Sequence, residues 1–201
     1  MAFYRTVYLI IISCLISACS SIPDYQPAPG SPQQLWLKHQ QQLRDITAWR
    51  LQGQIAFITP QERNSATLNW QQLAQDFSIN LTGPFGIHLM TIKRSAGIAT
   101  LILDDNQQYQ DSNAQRLINQ LSPLPIPIDE LRYWIMGEPL SDDLTLDRYG
   151  RVSQAAHPLG WQISYRNYQL INNIWLPKNI SIKKDDIRIK IITRDWKIDA
   201  T

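Results

Sequence analysis

The sequence predicts a mainly β domain with helices (α+β), in which one curled antiparallel sheet of about eleven strands forms an incomplete barrel covered by about three helices. Apolar and polar residues alternate over most of residues 49–198, as in strands with one buried and one solvated face. Short turns without helices separate successive strands, which favours an antiparallel meander. A sheet of this many strands must curl or split.

Residues 1–18 have the features of a signal peptide. Arg5 is their only charged residue, and the apolar stretch over 7–18 is too short to span a bilayer comfortably. The stretch ends in Ile16-Ser17-Ala18-Cys19, which resembles the lipobox of bacterial lipoproteins. This resemblance implies a mature chain that begins at an acylated Cys19, and multiple acyl chains anchor a protein stably. An ordinary signal peptide with a chance cysteine, or an uncleaved anchor, is the alternative.

Residues 19–34 are predicted to form a lipidated, flexible tether before a domain over 35–201. Residues 20–34 contain four prolines and no apolar periodicity, which is typical of a semi-extended linker. Ser20, directly after the cysteine, implies sorting to the outer membrane by resemblance to enterobacterial lipoproteins, with the domain facing the periplasm. Cys14 leaves with the signal, so neither an internal disulfide nor a cysteine metal site is expected.

The domain is predicted to begin with one helix and a run of strands. Residues 33–47 have apolar residues at helical spacing, with Trp36 at the edge of the apolar face. That face comprises Leu35, His39, Leu43 and Ile46. From Trp49 the period changes to two, and turn residues such as 59–64 separate the strands. The predicted strands are 49–57, 67–71, 77–82, 87–94 and 98–103.

Two short helices are predicted to interrupt the strands, over 112–121 and 128–136. Ser112 is the expected N-cap of the first, and the second ends before Gly137. The strands then resume, and no internal repeat is apparent. They are predicted at 144–148, 151–156, 160–168, 174–183 and 187–198.

The sequence carries no recognisable catalytic or metal-binding motif, so no catalytic residue, metal or cofactor is predicted. His39, His88 and His157 fall in separate elements, and each is expected to be an ordinary surface or packing histidine. The acid pairs 104–105 and 142–143 lie in turn-like segments, where solvated loop acids are expected. The mature chain would carry 18 basic and 17 acidic side chains, since Arg5 is lost from the 19 basic residues. This balance gives no reason to expect a nucleic-acid partner.

Two other segments leave alternatives open. Residues 178–197 contain seven Lys or Arg against three Asp, and form either a solvated strand face or a surface for anionic lipid. Residues 83–86, Gly-Pro-Phe-Gly, form a predicted turn whose tip carries Phe85 instead of a polar residue. Phe85 either folds back into the core or protrudes as an apolar tip that enters a bilayer or the groove of a partner.

One central segment is distinctive: residues 124–128 read LPIPI and residues 131–137 read LRYWIMG. It resembles the most characteristic segment of the LolB family, outer-membrane lipoproteins that receive other lipoproteins. Weaker matches in the same order are 36–42, 53–57, 70–71, 84–86 and 189–196. The family implies an incomplete barrel around an apolar cavity. It also implies a protein that takes acylated lipoproteins from the periplasmic carrier LolA and places them among outer-membrane phospholipids without nucleotide.

The resemblance also implies site residues. Phe85, flanked by Pro84 and Gly86, matches a membrane-insertion position at which Leu is expected. The candidates for lining the acyl-chain cavity are Leu51, Ile55, Phe57, Leu68, Trp70, Ile79, Leu89, Leu101, Trp134 and Ile135. We expect a monomer. The alternatives are a structural or assembly lipoprotein that binds a protein partner without a lipid cavity, and an envelope hydrolase, which would need a convergent nucleophile and base.

Overall fold

The computed structural model describes residues 29–121 and 126–199. The predicted signal 1–18, Cys19 and most of the tether lie outside these residues, as do Leu124 and Pro125. The helices are α1 (Pro32–Arg44), α2 (Ala114–Leu121) and α3 (Ile128–Trp134). The strands are β1 (Ala48–Ile58), β2 (Arg63–Leu73), β3 (Asp76–Thr82), β4 (His88–Ser95), β5 (Ile98–Leu103), β6 (Gln108–Asp111), β7 (Asp143–Leu146), β8 (Val152–Ala156), β9 (Gln162–Ile171), β10 (Ile174–Lys184) and β11 (Ile187–Ile198).

All eleven strands form one antiparallel sheet in the order β6-β5-β4-β3-β2-β1-β11-β10-β9-β8-β7. The first strand, β1, lies in the middle of the sheet, and the strands that follow it meander to one edge at β6. It then passes through α2 and α3 to the opposite edge at β7 and meanders back to β11, which pairs with β1. The two edge strands leave the sheet open, which confirms the predicted fold class.

The central pair of strands depends on a glycine. The register of β1 against β11 shifts between Gln52 and Gly53, as in a β-bulge. A Cβ on Gly53 would lie 2.4 Å from the carbonyl oxygen of Ile192, so any side chain would push the two strands apart. Beyond the bulge, apolar residues pair across the two strands, as in Ile55 with Ile191.

Helix α1 begins and ends earlier than the sequence predicts. The Ser31 side chain accepts the Gln34 N–H and the Gln34 side chain accepts the Ser31 N–H, so a capping box fixes the start at Pro32. The last residues of the predicted tether 19–34 therefore belong to the helix. Trp36, predicted at the edge of the apolar face, is instead buried together with His39 and Leu43, because α1 packs on β7 and β10.

The structure differs from the sequence predictions at three places. Strand β6 was not predicted, since its sequence, QYQD, contains one apolar residue and shows no alternation. Strand β2 begins at Arg63, inside the predicted turn, because backbone pairing with β1 continues through polar residues. The N-cap of α2 is Asn113, whose Oδ1 accepts the Arg116 N–H at 2.8 Å, whereas the Ser112 hydroxyl bonds to Asp111.

The helices cover one face of the sheet, which we call the buried face. Helix α1 lies over β7 and β10, and α2 lies over β4, β5 and β6 and contacts α3. Trp134 of α3 packs on Trp161, with ring centroids 6.1 Å apart. The other side of the sheet, the outer face, carries the polar residues of the alternation.

Candidate functional site

The turn between β3 and β4 places Phe85 entirely in solvent. Residues Pro84–Gly86 form one turn of 3₁₀ helix in which Phe85 has φ 59° and ψ 19°. This left-handed conformation is uncommon for a bulky residue and costs about 1–2 kcal/mol. The Gly83 N–H donates to the Ile87 carbonyl at 2.8 Å and closes the turn. The alternative in which Phe85 folds back into the core is therefore wrong.

Other apolar side chains surround Phe85 at the surface. Pro84, Ile87 and Leu89 are all exposed, and a Cβ on Gly83 would lie 3.3 Å from Leu89 Cδ2. We call Pro84, Phe85, Ile87 and Leu89 the apolar tip. Contiguous exposed apolar groups mark sites of protein or membrane contact. The strained backbone of Phe85 supports the same inference, because strain persists where the surrounding structure enforces it.

Leu89 was predicted to line the cavity, and this prediction is wrong. Its side chain is 39% exposed, whereas Ile92 of the same strand is buried and Met90 packs against the core. The register between β3 and β4 shifts at Leu81, so that Met90 pairs with Leu81 and His88 with Thr82. Leu89 has no partner in this register and lies beside the turn.

The other nine predicted cavity residues lie on the buried face or in and directly after α3. Phe57 is half-buried and packs against the core, and the remaining eight are buried. Those eight are Leu51, Ile55, Leu68, Trp70, Ile79, Leu101, Trp134 and Ile135. Trp134 and Ile135 expose 0% of their surface, so no water-sized space adjoins either side chain. In this conformation the two residues belong to a packed core and line no open cavity.

Three polar atoms of the buried tryptophans and tyrosines have no hydrogen-bond partner among the described residues. They are Nε1 of Trp134, Nε1 of Trp196 and the hydroxyl of Tyr165. Burial raises the pKa of Tyr165, so its hydroxyl keeps its proton and remains a donor. An unpaired buried donor costs about 1–3 kcal/mol. The buried face therefore carries donors that a guest molecule with acceptor oxygens could satisfy.

A cleft of about 240 Å³ opens between the end of α1, strands β1 and β2, and α3. Its apolar lining comprises Leu43, Ile46, Trp49, Tyr133 and Met136. A methylene fills about as much space as a water molecule, roughly 30 Å³, so the cleft holds on the order of eight methylenes. The sequence prediction missed this cleft. Only the i, i+3 spacing of Tyr133 and Met136, which places both on one side of the segment, could have pointed to it.

Two polar contacts tie α3 and the segment after it across this cleft. Arg44 Nε donates to Glu138 Oε1 at 2.7 Å, and the Glu138 carboxylate is buried. Arg132 Nη1 donates to Gln75 Oε1 at 3.0 Å, which links α3 to the β2–β3 hairpin. The bond from Arg132 would break if α3 moved away from the β2–β3 hairpin, and the Arg44–Glu138 pair would break if the segment after α3 moved away from α1.

The three histidines lie apart and make ordinary contacts. His39 is buried with Nε2 2.8 Å from the Trp175 carbonyl, and burial lowers its pKa. His88 Nε2 lies 2.9 Å from Thr91 Oγ1, and the His157 ring stacks edge-on against Trp134. Within the described ranges, no group of three or more His, Cys, Asp or Glu could hold a metal ion. None of the helices described is long and apolar enough to cross a membrane.

Sequence comparisons give one consistent family. The family model "Outer membrane lipoprotein LolB" matches residues 47–196. An outer-membrane lipoprotein LolB from Psychromonas ingrahamii is 33% identical over 192 residues, covering 93% of each chain. A second LolB, from Tolumonas auensis, is 30% identical over 193 residues, covering 95% of this chain and 96% of the relative.

Two solved structures have a fold similar to that of this chain. A LolA superfamily protein from Nitrosomonas europaea has a TM-score of 0.53 at 12% identity, covering 86% of this chain and 95% of that protein. A lipoprotein-sorting protein domain from Vibrio parahaemolyticus also has a TM-score of 0.53, at 9% identity, with 83% and 93% covered. At these identities the likeness concerns the fold alone.

Proposed function

Because the chain belongs to the LolB family of outer-membrane lipoproteins, we propose that it receives lipoproteins from the periplasmic carrier LolA and inserts them into the outer membrane. In this proposal the acylated Cys19 anchors the protein, and the domain faces the periplasm. The family and the fold shared with the LolA superfamily support a role in lipoprotein localisation. Carrier and receptor with the same fold could offer the acyl chains similar surroundings.

The transfer must proceed by direct contact between apolar surfaces. Burying a methylene is worth roughly 0.8 kcal/mol, so three acyl chains with about 45 methylenes would cost on the order of 30 kcal/mol to expose to water. No nucleotide-binding motif accompanies this sequence, so each step is proposed to run downhill from carrier to receptor to bilayer. An apolar surface without directional contacts suits cargo whose lipids are alike and whose proteins differ.

The buried face is the proposed site for the acyl chains. Since Trp134 and Ile135 are fully buried, the chains can reach this face only when α2 and α3 move away from the sheet. The cleft beside Tyr133 and Met136 is the proposed entry, because it already has room for part of one chain. The unpaired donors of Trp134 and Tyr165 could then bind the carbonyl oxygens of the acyl linkages.

Fully exposed Phe85 is the single observation that carries the insertion step. A phenylalanine in solvent gains about 1.5–3 kcal/mol on entering an apolar phase. Ile87 and Leu89 would add to this gain if the apolar tip entered the acyl region of the bilayer. We therefore assign the apolar tip to membrane insertion.

Substituting Phe85→Glu tests the insertion step. The variant chain, starting at Ser20 and holding every described element, is mixed with carrier loaded with radiolabelled lipoprotein, and liposomes are added. We expect label to reach the variant but not the liposomes, because a carboxylate at the tip opposes entry into lipid. The matched control is Leu73→Glu, an exposed leucine at the opposite end of the sheet, which should deliver normally. Unimpaired delivery by Phe85→Glu would refute the insertion role.

The packed interior also supports a second candidate, a structural or assembly lipoprotein that binds a protein partner without taking up lipid. The full burial of Trp134 and Ile135 favours this candidate, because a closed interior has no room for acyl chains. The two candidates differ in one observable. Only the lipid-handling protein takes labelled lipoprotein from the carrier in the absence of membranes.

A further inference from the structure

Three cations of the basic stretch 178–197 lie together on one face of the sheet. Buried isoleucines of β11 alternate with exposed Arg188 and Lys190, so both cations lie on the outer face. Arg188 pairs with Lys183 of β10, which lies on the same face. Lys183, Arg188 and Lys190 therefore form a cluster of positive charge on the outer face.

The surface continues across the sheet to β2. Lys190 pairs with Ala56 of β1, and Ala56 pairs with Ser65 of β2. Arg63 precedes Ser65 by two positions and so lies on the same face. We call Arg63, Lys183, Arg188 and Lys190 the cationic strip.

None of the four cations forms an ion pair with any residue in the described part of the chain. Asp143 lines a groove next to Lys183 and Arg188 but does not come within ion-pair distance. By contrast, Arg50 at the other end of β1 lies 3.7 Å from Asp199. A group of unpaired like charges attracts an anionic partner.

Two cations of the strip adjoin the apolar tip. Arg63 and Lys190 line a groove of about 360 Å³ on the outer face, and the groove extends to Pro84 of the tip. Ser65, Thr67 and Thr82 also line it and supply hydroxyl groups. A guanidinium, an ammonium and hydroxyl donors are the groups with which proteins bind phosphate.

We propose that this groove binds the phosphodiester headgroup of an anionic phospholipid in the leaflet that the apolar tip enters. The inference rests on the proposed function, because it names the lipid that the tip meets. Stable attachment to a bilayer generally needs two signals, and an apolar group beside a basic patch supplies both. Pro84 belongs to the groove as well as to the tip, so a bound headgroup would hold Phe85 against the acyl chains of the same leaflet.

The double substitution Arg63→Gln/Lys190→Gln tests the proposal in the chain that starts at Ser20. The control is Arg50→Gln/Lys197→Gln, which also removes one arginine and one lysine, here from a cross-strand pair of β1 and β11. Lys197 is seven positions from Lys190 along β11, about 23 Å, which exceeds the Debye length of about 10 Å at 0.1 M salt. Co-sedimentation is measured with phosphatidylcholine vesicles and with vesicles containing about a third phosphatidylglycerol.

We expect Arg63→Gln/Lys190→Gln to bind the anionic vesicles about 25-fold more weakly, since each cation near an anionic surface contributes about fivefold. Binding to neutral vesicles should be unchanged, and the control should match the unsubstituted chain. Equal losses in both double variants, or no loss in either, would overturn the proposal. Normal binding to anionic vesicles with impaired uptake from the carrier would also overturn it, because the strip would then serve a protein.

These outcomes are separable from failure of the insertion role. If Phe85→Glu delivers lipoprotein normally while Arg63→Gln/Lys190→Gln loses affinity for anionic vesicles, the headgroup groove stands and the insertion role of the tip is refuted. Unchanged thermal unfolding of each variant, measured in parallel, establishes that the exposed substitutions leave the fold intact.

Discussion

Replacing Phe85 by glycine should stabilise the fold while it weakens membrane insertion. The side chain is fully exposed, so its removal forfeits no burial. The backbone at φ 59° and ψ 19° is strained for phenylalanine but freely available to glycine. Phe85→Leu should leave stability unchanged, because it keeps both the strain and the apolar character of the tip.

Two opposing terms set the magnitude. Relief of the left-handed conformation is worth about 1–2 kcal/mol, and the greater freedom of glycine in the unfolded chain removes about 0.4–1 kcal/mol of that gain. The net change is a stabilisation of about 1 kcal/mol. For a domain of this size, that corresponds to a rise in Tm of about 2–4 °C.

Calorimetry on the chain that starts at Ser20 measures the rise, and delivery of labelled lipoprotein to liposomes measures the functional loss. We expect Phe85→Gly to melt higher and to deliver less than Phe85→Leu. A lower Tm for Phe85→Gly would mean that the Phe85 side chain packs against the protein, and the apolar tip would not be free to enter a bilayer.

Two further predictions concern α1. Gly150→Ala should destabilise the fold by about 2–4 kcal/mol in urea unfolding, because a Cβ there would lie 2.5 Å from Leu35 Cβ in α1 at a backbone φ of +70°. The control is Gly97→Ala, because Gly97 has φ +80° and a Cβ there would have no atom within 4 Å. Its free energy of unfolding should fall by only about 1 kcal/mol. Equal losses of stability in the two variants would exclude a close approach of α1 to Gly150. Burial lowers the pKa of His39, so the unfolded chain binds the proton first, and the free energy of unfolding should fall as the pH drops below about 6.5. In His39→Gln this pH dependence should be weaker, and the remainder comes from His157, whose pKa is also lowered by burial. If His39→Gln and the unsubstituted chain show the same pH dependence, His39 is not buried in its neutral form.

The alternation of apolar residues was enough to predict the sheet, because each half-buried strand repeats its burial every second residue. Strand β6 escaped prediction since an edge strand of four mostly polar residues has no such signal. Leu89 was misplaced for a different reason. Met90 and Ile92 face the core, so alternation along β4 places Leu89 on the other face; the apolar residues at 87, 89, 90 and 92 do not show which face is buried.

The candidate site was predictable only in part. The sequence singled out Phe85 as odd for a turn, but its exposure depends on a left-handed φ that phenylalanine does not prefer. The cleft joins residues such as Leu43 and Met136 from separate elements, and the spacing of Tyr133 and Met136 indicates only one of its walls. Whether Trp134 faces a cavity or a packed core depends on how α2 and α3 lie on the sheet, which no local pattern specifies.

Uptake of lipoprotein in the absence of membranes tests the lipid-handling role most directly. The chain that starts at Ser20 is mixed with carrier loaded with radiolabelled lipoprotein, and the two proteins are separated by size and charge. We expect the label to move to the domain and to stay there until liposomes are added. Label that remains on the carrier, with the domain folded and in excess, would contradict the proposal that acyl chains enter beneath α2 and α3.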